Sequence, residues 1–153
     1  MTSLCCKVLK HLQGKTLVTA ESLTGGGIGA ALTAIPGSSA IYKGGIICYT
    51  NEVKQHILGV EPQVLSQFGA VSAQTAAQMA AGARVRLNAD IAVAVTGLAG
   101  PGGDDFGNPV GTVFIGYADR NTTITRHFHF TGTREDVRNQ TIHAALELIL
   151  CPQ

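Results

Sequence analysis

A chain of 153 residues has the length of one ordinary domain, and 45% of its residues are hydrophobic while only 14% are charged. The formal net charge is +1, and the sequence lacks the Lys/Arg runs with interleaved aromatic residues that nucleic-acid-binding proteins show. A composition this apolar favours burial of part of the surface in an assembly. We therefore expect a single domain over residues 1–153 that forms a homo-oligomer and binds no nucleic acid.

Cysteine spacing and apolar run lengths bear on location and on metal binding. The four cysteines, at positions 5, 6, 48 and 151, form no CxxC pair and have no histidine spaced to complete a zinc site. No apolar run approaches the ~20 residues of a membrane span, and the N-terminal run is too short for a signal peptide. We expect a cytoplasmic protein with no membrane partner and no metal.

The predicted elements alternate between helices and strands over the first two thirds of the chain. Helical spacing of apolar residues, cap residues and apolar runs define them. In chain order they are a helix capped by Ser3, a strand at 15–20, a helix at 25–35, a buried strand at 44–50, a short helix capped by Asn51, a helical piece at 61–69, a helix capped by Ser72, and a central strand at 90–97.

The last third of the chain adds a hairpin and a final helix. Two strand patterns, at 110–118 and 122–130, are separated by three polar residues, which indicates antiparallel pairing. Thr133 is predicted to cap the last helix, with Glu135 and Asp136 in its first turn. Together the elements predict an α/β fold in which helices cover both faces of a mixed sheet.

The stretch TAESLTGGGIGAAL (19–32) leads from a predicted strand into a predicted helix. Ser22 lies where the first backbone N–H groups of a helix lack partners and carry partial positive charge, so an oxyanion would be stabilised beside it. The GxSxG pattern of a nucleophile elbow is absent, and Glu21 precedes the serine. The alternative is that Ser22 or Thr24 only caps the helix.

A serine nucleophile needs a base, and Lys54 in the segment CYTNEVK is a better candidate than any histidine. None of the five histidines has a carboxylate spaced to orient it, so all five are expected to be structural or solvated. A lysine whose pKa is lowered by burial or by a neighbouring cation can deprotonate a serine. The alternative for Lys54 is a surface pair on a short helix.

The segment TGLAGPGG (96–103) follows the central strand and offers successive backbone N–H groups that suit a phosphate. It matches neither a Walker A loop nor the G-x-G-x-x-G pattern, and a simple long turn is the alternative. Asp104 and Asp105 next to it would repel a phosphate or hold a metal, although no second ligand cluster is evident. Arg134 and Arg138, one helical turn apart, either face the same ligand or are solvated.

Six segments taken in order resemble the C-terminal domain family of the competence/damage-inducible protein CinA. They cover nearly the whole chain, and the ordered set is more specific than any one motif. The segments are TAESLTGG, PGSSAIYKGGIICYTNEVKQHILGV, FGAVSAQTAAQMAAGA, AVAVTGLAGPGG, NPVGTVFIGYA and REDVRNQTIHAALELI.

The resemblance implies a fold and an activity. The fold is a three-layer α/β/α sandwich with a mixed, partly parallel sheet, which assembles with itself. The activity is that of an amidohydrolase acting on a small nucleotide: it removes ammonia from nicotinamide mononucleotide and gives nicotinic acid mononucleotide, in pyridine nucleotide recycling. The resemblance implies no metal and no other cofactor for this reaction.

The resemblance also assigns residues. It implies that Ser22 attacks the amide carbon, that Lys54 accepts its proton and that Tyr49 relays the proton or orients the pair. Backbone N–H groups are then expected to hold the oxyanion at Thr24, Gly25 and Gly26. The expected ligand-binding positions are Thr96, Gly97, Gly100, Gly102, Thr112 and Arg138.

One position departs from the family pattern. Family members commonly read AESCTGG, and Leu23 stands here in place of the cysteine. Because Ser22 is kept, we interpret the change as one of packing. Two alternatives to an active enzyme are a catalytically inactive nucleotide-binding or regulatory module and a structural partner in a competence or DNA-damage complex.

Overall fold

The computed structural model describes residues 1–153. These residues form six α-helices and five β-strands. The helices are α1 (Thr2–His11), α2 (Gly27–Thr33), α3 (Asn51–His56), α4 (Pro62–Phe68), α5 (Ala73–Arg86) and α6 (Arg134–Leu150), and a 3₁₀ turn spans Ser38–Ala40. The strands are β1 (Leu17–Glu21), β2 (Tyr42–Ile47), β3 (Ile91–Gly97), β4 (Thr112–Ala118) and β5 (Thr123–His129).

The five strands form one mixed sheet in the order β2-β1-β3-β4-β5. The pairs β1–β2 and β1–β3 are parallel, whereas β3–β4 and β4–β5 are antiparallel. At the end of β1, Glu21 is level with Ile47 of β2 and Val95 of β3. The three parallel strands therefore end at the same edge of the sheet, where α/β proteins commonly bind ligands.

Helices pack on both faces of the sheet. On one face, α1, α2 and α6 bury apolar side chains against strand residues such as Leu17 and Val93. On the other face, α5 packs Met79 and its neighbouring alanines against Val18, Ala92 and Ala94. The three-layer α/β/α sandwich with a mixed, partly parallel sheet is thus confirmed. No helix combines the length and the apolar character that crossing a membrane requires.

Two predicted caps are confirmed by their hydrogen bonds. The Ser72 side chain accepts from the N–H of Thr75 at the start of α5. Thr133 forms a full capping box with Asp136 at the start of α6, each side chain accepting from the other residue's backbone N–H. These caps are local in sequence, which is why the residue spacing alone identifies them.

Three boundary predictions are wrong. The N-cap of α1 is Met1 and not Ser3, and the cap of α3 is Thr50, whose hydroxyl accepts from the N–H of Val53, so that Asn51 is already helical. The predicted buried strand at 44–50 spans Tyr42–Ile47 and is an edge strand, with half-buried and exposed residues in alternation. An apolar run does not tell an edge strand from a central one, because only the partner strands decide this.

Candidate active site

The ends of β1 and β2 bring Ser22 and Lys54 into contact. Ser22 follows β1 directly, and Lys54 lies on α3, which begins shortly after β2. Lys54 Nζ is 2.9 Å from Ser22 Oγ, although the two residues are 32 positions apart in sequence. Their exposed fractions are only 1% and 6%. The surface-pair alternative for Lys54 is therefore wrong, and the geometry suits a base next to a nucleophile.

The amino group of Lys54 has two further contacts, both with backbone carbonyls. Nζ donates to the carbonyl oxygen of Cys48 at 2.7 Å and to that of Tyr49 at 3.4 Å. A neutral amine has two N–H donors and one lone pair. When the amine is neutral and both donors are on the carbonyls, its lone pair is left for Ser22 Oγ, and the serine can then donate its proton to the lysine.

The electrostatic surroundings of Lys54 favour the neutral amine. Burial lowers the pKa of Lys54 below its usual 10.5, because the charged form loses its hydration. No carboxylate forms a salt bridge with it. Burial also raises the pKa of the neighbouring Cys48 thiol to about 11, so this group stays uncharged near neutral pH and gives Lys54 no counter-charge.

Tyr49 contacts Lys54 through its backbone and not through its hydroxyl. Its side chain is 59% exposed, and its hydroxyl accepts a hydrogen bond from Arg134 Nη2 at 3.1 Å. The hydroxyl makes no hydrogen bond with Ser22 or Lys54, and only the backbone carbonyl of Tyr49 reaches the lysine. Of the two roles expected for Tyr49, the carbonyl contact suits the orienting one, and its part in catalysis stays a prediction.

Glu21, directly before Ser22, is a buried carboxylate at the start of α2. This carboxylate is 2% exposed and accepts two hydroxyl hydrogen bonds, from Thr19 and Thr24, at 3.1 and 2.7 Å. It also accepts from the backbone N–H groups of Ile28 and Gly29 in the first turn of α2, at 2.8 and 3.0 Å. We expected the partial positive charge at the start of α2 to stabilise an oxyanion, but the Glu21 carboxylate already binds these N–H groups.

Replacing Glu21 by Gln is expected to lower the free energy of unfolding by at least about 2 kcal/mol, because an amide turns an NH₂ group toward donors that need an acceptor. Urea denaturation followed by circular dichroism measures this change. The matched control is Glu52→Gln on the surface of α3, for which we expect a change within about 0.5 kcal/mol. An equally small effect at Glu21 would contradict its anchoring role.

The expected oxyanion-binding group at Thr24, Gly25 and Gly26 does not face the cavity that contains Ser22 and Lys54. Thr24 is fully buried with its hydroxyl on Glu21, and the N–H of Gly25 donates to the carbonyl of Ser22 at 3.1 Å. Leu23, in contrast, lines the cavity, and its backbone N–H donates to no acceptor in the chain. The backbone N–H of Leu23, next to Ser22, is therefore free to bind an anionic oxygen.

Leu23 also belongs to the larger apolar core cluster and is only 4% exposed. This agrees with the interpretation of the departure from the family motif as a packing change.

The cavity next to Ser22 and Lys54 has a volume of about 480 Å³ and lies at the carboxyl edge of the parallel strands. The four predicted positions of the glycine loop (96–103) all line it, namely Thr96, Gly97, Gly100 and Gly102. Thr96 is fixed by a 2.7 Å hydrogen bond from its hydroxyl to the carbonyl of Ala70. The loop is thus a wall of the site and not only a turn.

The other two expected ligand-binding residues do not line the cavity. Thr112 is buried, and its hydroxyl donates to the carbonyl of Pro109. Arg138 donates from Nε to the carbonyl of Leu23 at 3.0 Å and from Nη2 to that of Thr24 at 3.2 Å, so it contacts the backbone directly after Ser22. The side-chain donors of both residues thus bind backbone carbonyls, and their roles toward a ligand stay predictions.

Arg134 is the arginine that lines the cavity. It lies in the first turn of α6, one helical turn before Arg138, and donates from Nη1 to the carbonyl of Gly100 at 2.6 Å. With its other nitrogen on the Tyr49 hydroxyl, it bridges the glycine loop and the segment after β2. Arg134 thus brings a permanent positive charge to the cavity wall.

The two aspartates beside the glycine loop also line the cavity. Burial alone would raise the pKa of Asp104, but hydrogen bonds from Asn108 and from the N–H of Phe106 outweigh it and hold that pKa below its usual value. Asp104 is therefore a structural anion whose oxygens are used by its own loop. The chain has no group of three or more His, Cys, Asp or Glu side chains placed to hold a metal ion.

One histidine does have a nearby carboxylate, contrary to expectation. His143 Nδ1 is 3.5 Å from Glu147 Oε2, one turn further along α6. Both side chains are more than half exposed, and neither lines the cavity. The prediction of a solvated role for His143 therefore agrees with its position.

The fold and the site define an α/β protein with a buried serine–lysine pair beside a cavity. The model of the CinA C-terminal domain family matches residues 1–151. The chain belongs to this family, which confirms the resemblance seen in the six segments.

Individual relatives support the same family membership. The chain is 47% identical to CinA-like proteins of Thermosynechococcus vestitus and Endomicrobium trichonymphae, over 97% and 88% of its own length but 36% and 32% of theirs. It thus spans about a third of the length of these curated relatives.

Among solved structures, a competence or damage-inducible protein of Enterobacter asburiae is 39% identical with a TM-score of 0.95, covering 99% of this chain and 98% of that one. The competence/damage inducible protein CihA of Agrobacterium tumefaciens is 42% identical with a TM-score of 0.93, covering 97% and 93%.

Proposed function

We propose that this CinA-family domain is an amidohydrolase that converts nicotinamide mononucleotide into nicotinic acid mononucleotide and ammonia. The observation that carries the proposal is the 2.9 Å contact between the buried Ser22 Oγ and Lys54 Nζ at the wall of a cavity. Such a contact supplies a nucleophile and a base for acyl transfer. The family membership supports the same reaction.

In the first half of the reaction, neutral Lys54 accepts the Ser22 proton while Oγ forms a bond to the carboxamide carbon. The carbonyl oxygen becomes an oxyanion, for which the backbone N–H of Leu23 is the nearest free donor in sequence. Protonated Lys54 then gives its proton to the amide nitrogen. The C–N bond breaks, ammonia leaves, and the acyl group stays on Ser22 as an ester.

In the second half, a water molecule takes the place of ammonia. Lys54 is neutral again and accepts a proton from the water as the water oxygen attacks the ester carbon. The proton passes to Ser22 Oγ as the C–O bond breaks, which releases the carboxylic acid product and restores both side chains. The sequence of steps is balanced with substrate and water alone.

The charges of the cavity wall suit a substrate that carries both signs. Nicotinamide mononucleotide has a cationic pyridinium ring at one end and an anionic phosphate at the other. Arg134 offers a positive charge next to the backbone of the glycine loop, and Asp104 and Asp105 offer negative charge further along the same wall. We assign the phosphate to the side of Arg134.

The test is product analysis with a panel of amides. The chain is incubated with nicotinamide mononucleotide, nicotinamide riboside and nicotinamide, and acid and ammonia are quantified. We expect equal amounts of nicotinic acid mononucleotide and ammonia from the first substrate, and slower turnover of the two that lack the phosphate. Tight binding of the mononucleotide without any ammonia would overturn the proposal in favour of a nucleotide-binding module.

The pH dependence of kcat/KM follows from the state of Lys54. Because the pKa of this lysine is lowered from 10.5 and the neutral form is the base, activity is expected to rise with pH through that lowered pKa and then to level off. A profile over the neutral and alkaline range measures this, with thermal melts at each pH to exclude unfolding. Activity that falls over the same range in a folded protein would contradict a lysine base.

A further inference from the structure

We propose that Phe106 determines specificity by stacking against the planar ring of the substrate. This inference rests on the proposed function, since it names the group that recognises the ring next to the reacting amide. Phe106 lines the same cavity as Ser22 and Lys54, and 48% of its side chain is exposed. A large aromatic side chain left this open at the wall of a polar cavity offers apolar surface to a ligand.

The backbone on both sides of Phe106 is fixed. Asp104 Oδ1 accepts from the N–H groups of Phe106 and Asn108, at 3.1 and 3.0 Å. The Asn108 side-chain amide donates to Asp104 Oδ2 at 2.7 Å and to the carbonyl of Val71 at 3.3 Å. The short loop that carries Phe106 is therefore tied to itself and to the segment before α5, which preorganises the ring.

The Phe106 ring packs against Gly69, the residue that ends α4. A Cβ atom at position 69 would lie 2.6 Å from Cδ2 of the ring, so only a glycine allows this approach. Gly69 also has a φ of +80°, a left-handed conformation that glycine adopts without strain. Packing against Gly69 covers part of the ring, and the exposed remainder stays available to the cavity.

The chemistry of this surface selects a planar, electron-poor ring. The face of an aromatic ring carries partial negative charge and attracts cations, and stacking adds contact area. Asp104 and Asp105, which directly precede Phe106 in sequence and also line the cavity, add negative charge beside it. A pyridinium ring fits both features. Loss of a stacked aromatic partner typically weakens binding by roughly 5- to 100-fold.

The experiment measures binding without turnover, by titration calorimetry with nicotinamide mononucleotide in a Ser22→Ala background. Adding Phe106→Leu, which keeps apolar bulk but removes the aromatic face, is expected to raise Kd by roughly 5- to 100-fold. Phe106→Tyr should keep the parent Kd. The matched control is Phe68→Leu, because Phe68 is 43% exposed but does not line the cavity, and it should leave Kd unchanged.

Cytidine monophosphate serves as a second probe that separates this inference from the proposed function. If nicotinamide mononucleotide binds and Phe106→Leu has no effect, or Phe106→Tyr weakens binding as much, stacking is wrong and the proposed function stands. If only cytidine monophosphate binds, and does so in a manner that depends on Phe106, stacking stands and the proposed substrate fails. Binding of neither nucleotide to the parent overturns both.

Discussion

Replacing Ser22 by Ala is expected to lower kcat/KM for amide hydrolysis by at least about 10⁴-fold, since loss of a serine nucleophile costs about 10⁶-fold in a well-studied serine hydrolase. The substitution removes the oxygen that forms the acyl bond, and no other hydroxyl contacts Lys54 Nζ. Substrate binding should persist, because the cavity wall is otherwise unchanged. Initial rates of ammonia release and a calorimetric Kd together measure this.

The control for Ser22→Ala is the same substitution at another buried serine. Ser38 is 7% exposed, similar to the 6% of Ser22, and lies away from the cavity. We expect Ser38→Ala to keep full activity, and both variants to melt close to the wild-type Tm. Activity of Ser22→Ala equal to that of Ser38→Ala would show that Ser22 is not the nucleophile.

Replacing Lys54 by Met is expected to lower kcat by about 10²- to 10⁴-fold, the usual contribution of a positioned general base. Methionine keeps the length and apolar character of the side chain and removes the amine. The thermal stability should change little, because the variant loses the bonds to the Cys48 and Tyr49 carbonyls but no longer buries a polar amine. Steady-state kinetics and thermal melts measure the two effects.

A second substitution at position 54 tests whether Lys54 acts as a base or only as a positive charge. Lys54→Arg keeps the charge but is always protonated, so it cannot accept the Ser22 proton and should be as inactive as Lys54→Met. The surface control is Lys43→Met, whose amine contacts only the carbonyl of Asn88. Substantial activity in Lys54→Arg would assign an electrostatic role to Lys54 in place of proton transfer.

The parts of the fold that the sequence predicts are those that local chemistry decides. The hairpin of β4 and β5 follows from two strand patterns with a three-residue polar break, and Thr133 with Asp136 has the spacing of a capping box. The edge position of β2 does not follow in this way. It depends on which strands pair with it, and an apolar run such as GGIICYT carries no information about its neighbours.

The site shows the same division between local and distant contacts. Ser22 and Lys54 each belong to a recognisable local motif, and the parallel pairing of β1 with β2 brings their motifs together. Arg134 and Arg138 are one turn apart on α6, and sequence spacing does not say which one reaches the cavity. Glu21 could have been identified, because a carboxylate at a strand end just before a helix start has free N–H groups within reach.

The most direct measurement is ammonia release from nicotinamide mononucleotide by the purified wild-type chain and by its Ser22→Ala variant, assayed side by side. We predict release by the wild type, matched by formation of nicotinic acid mononucleotide, and none above background from the variant. Equal release by both proteins would contradict Ser22 as the nucleophile. No release by the folded wild-type chain would contradict the proposed reaction itself.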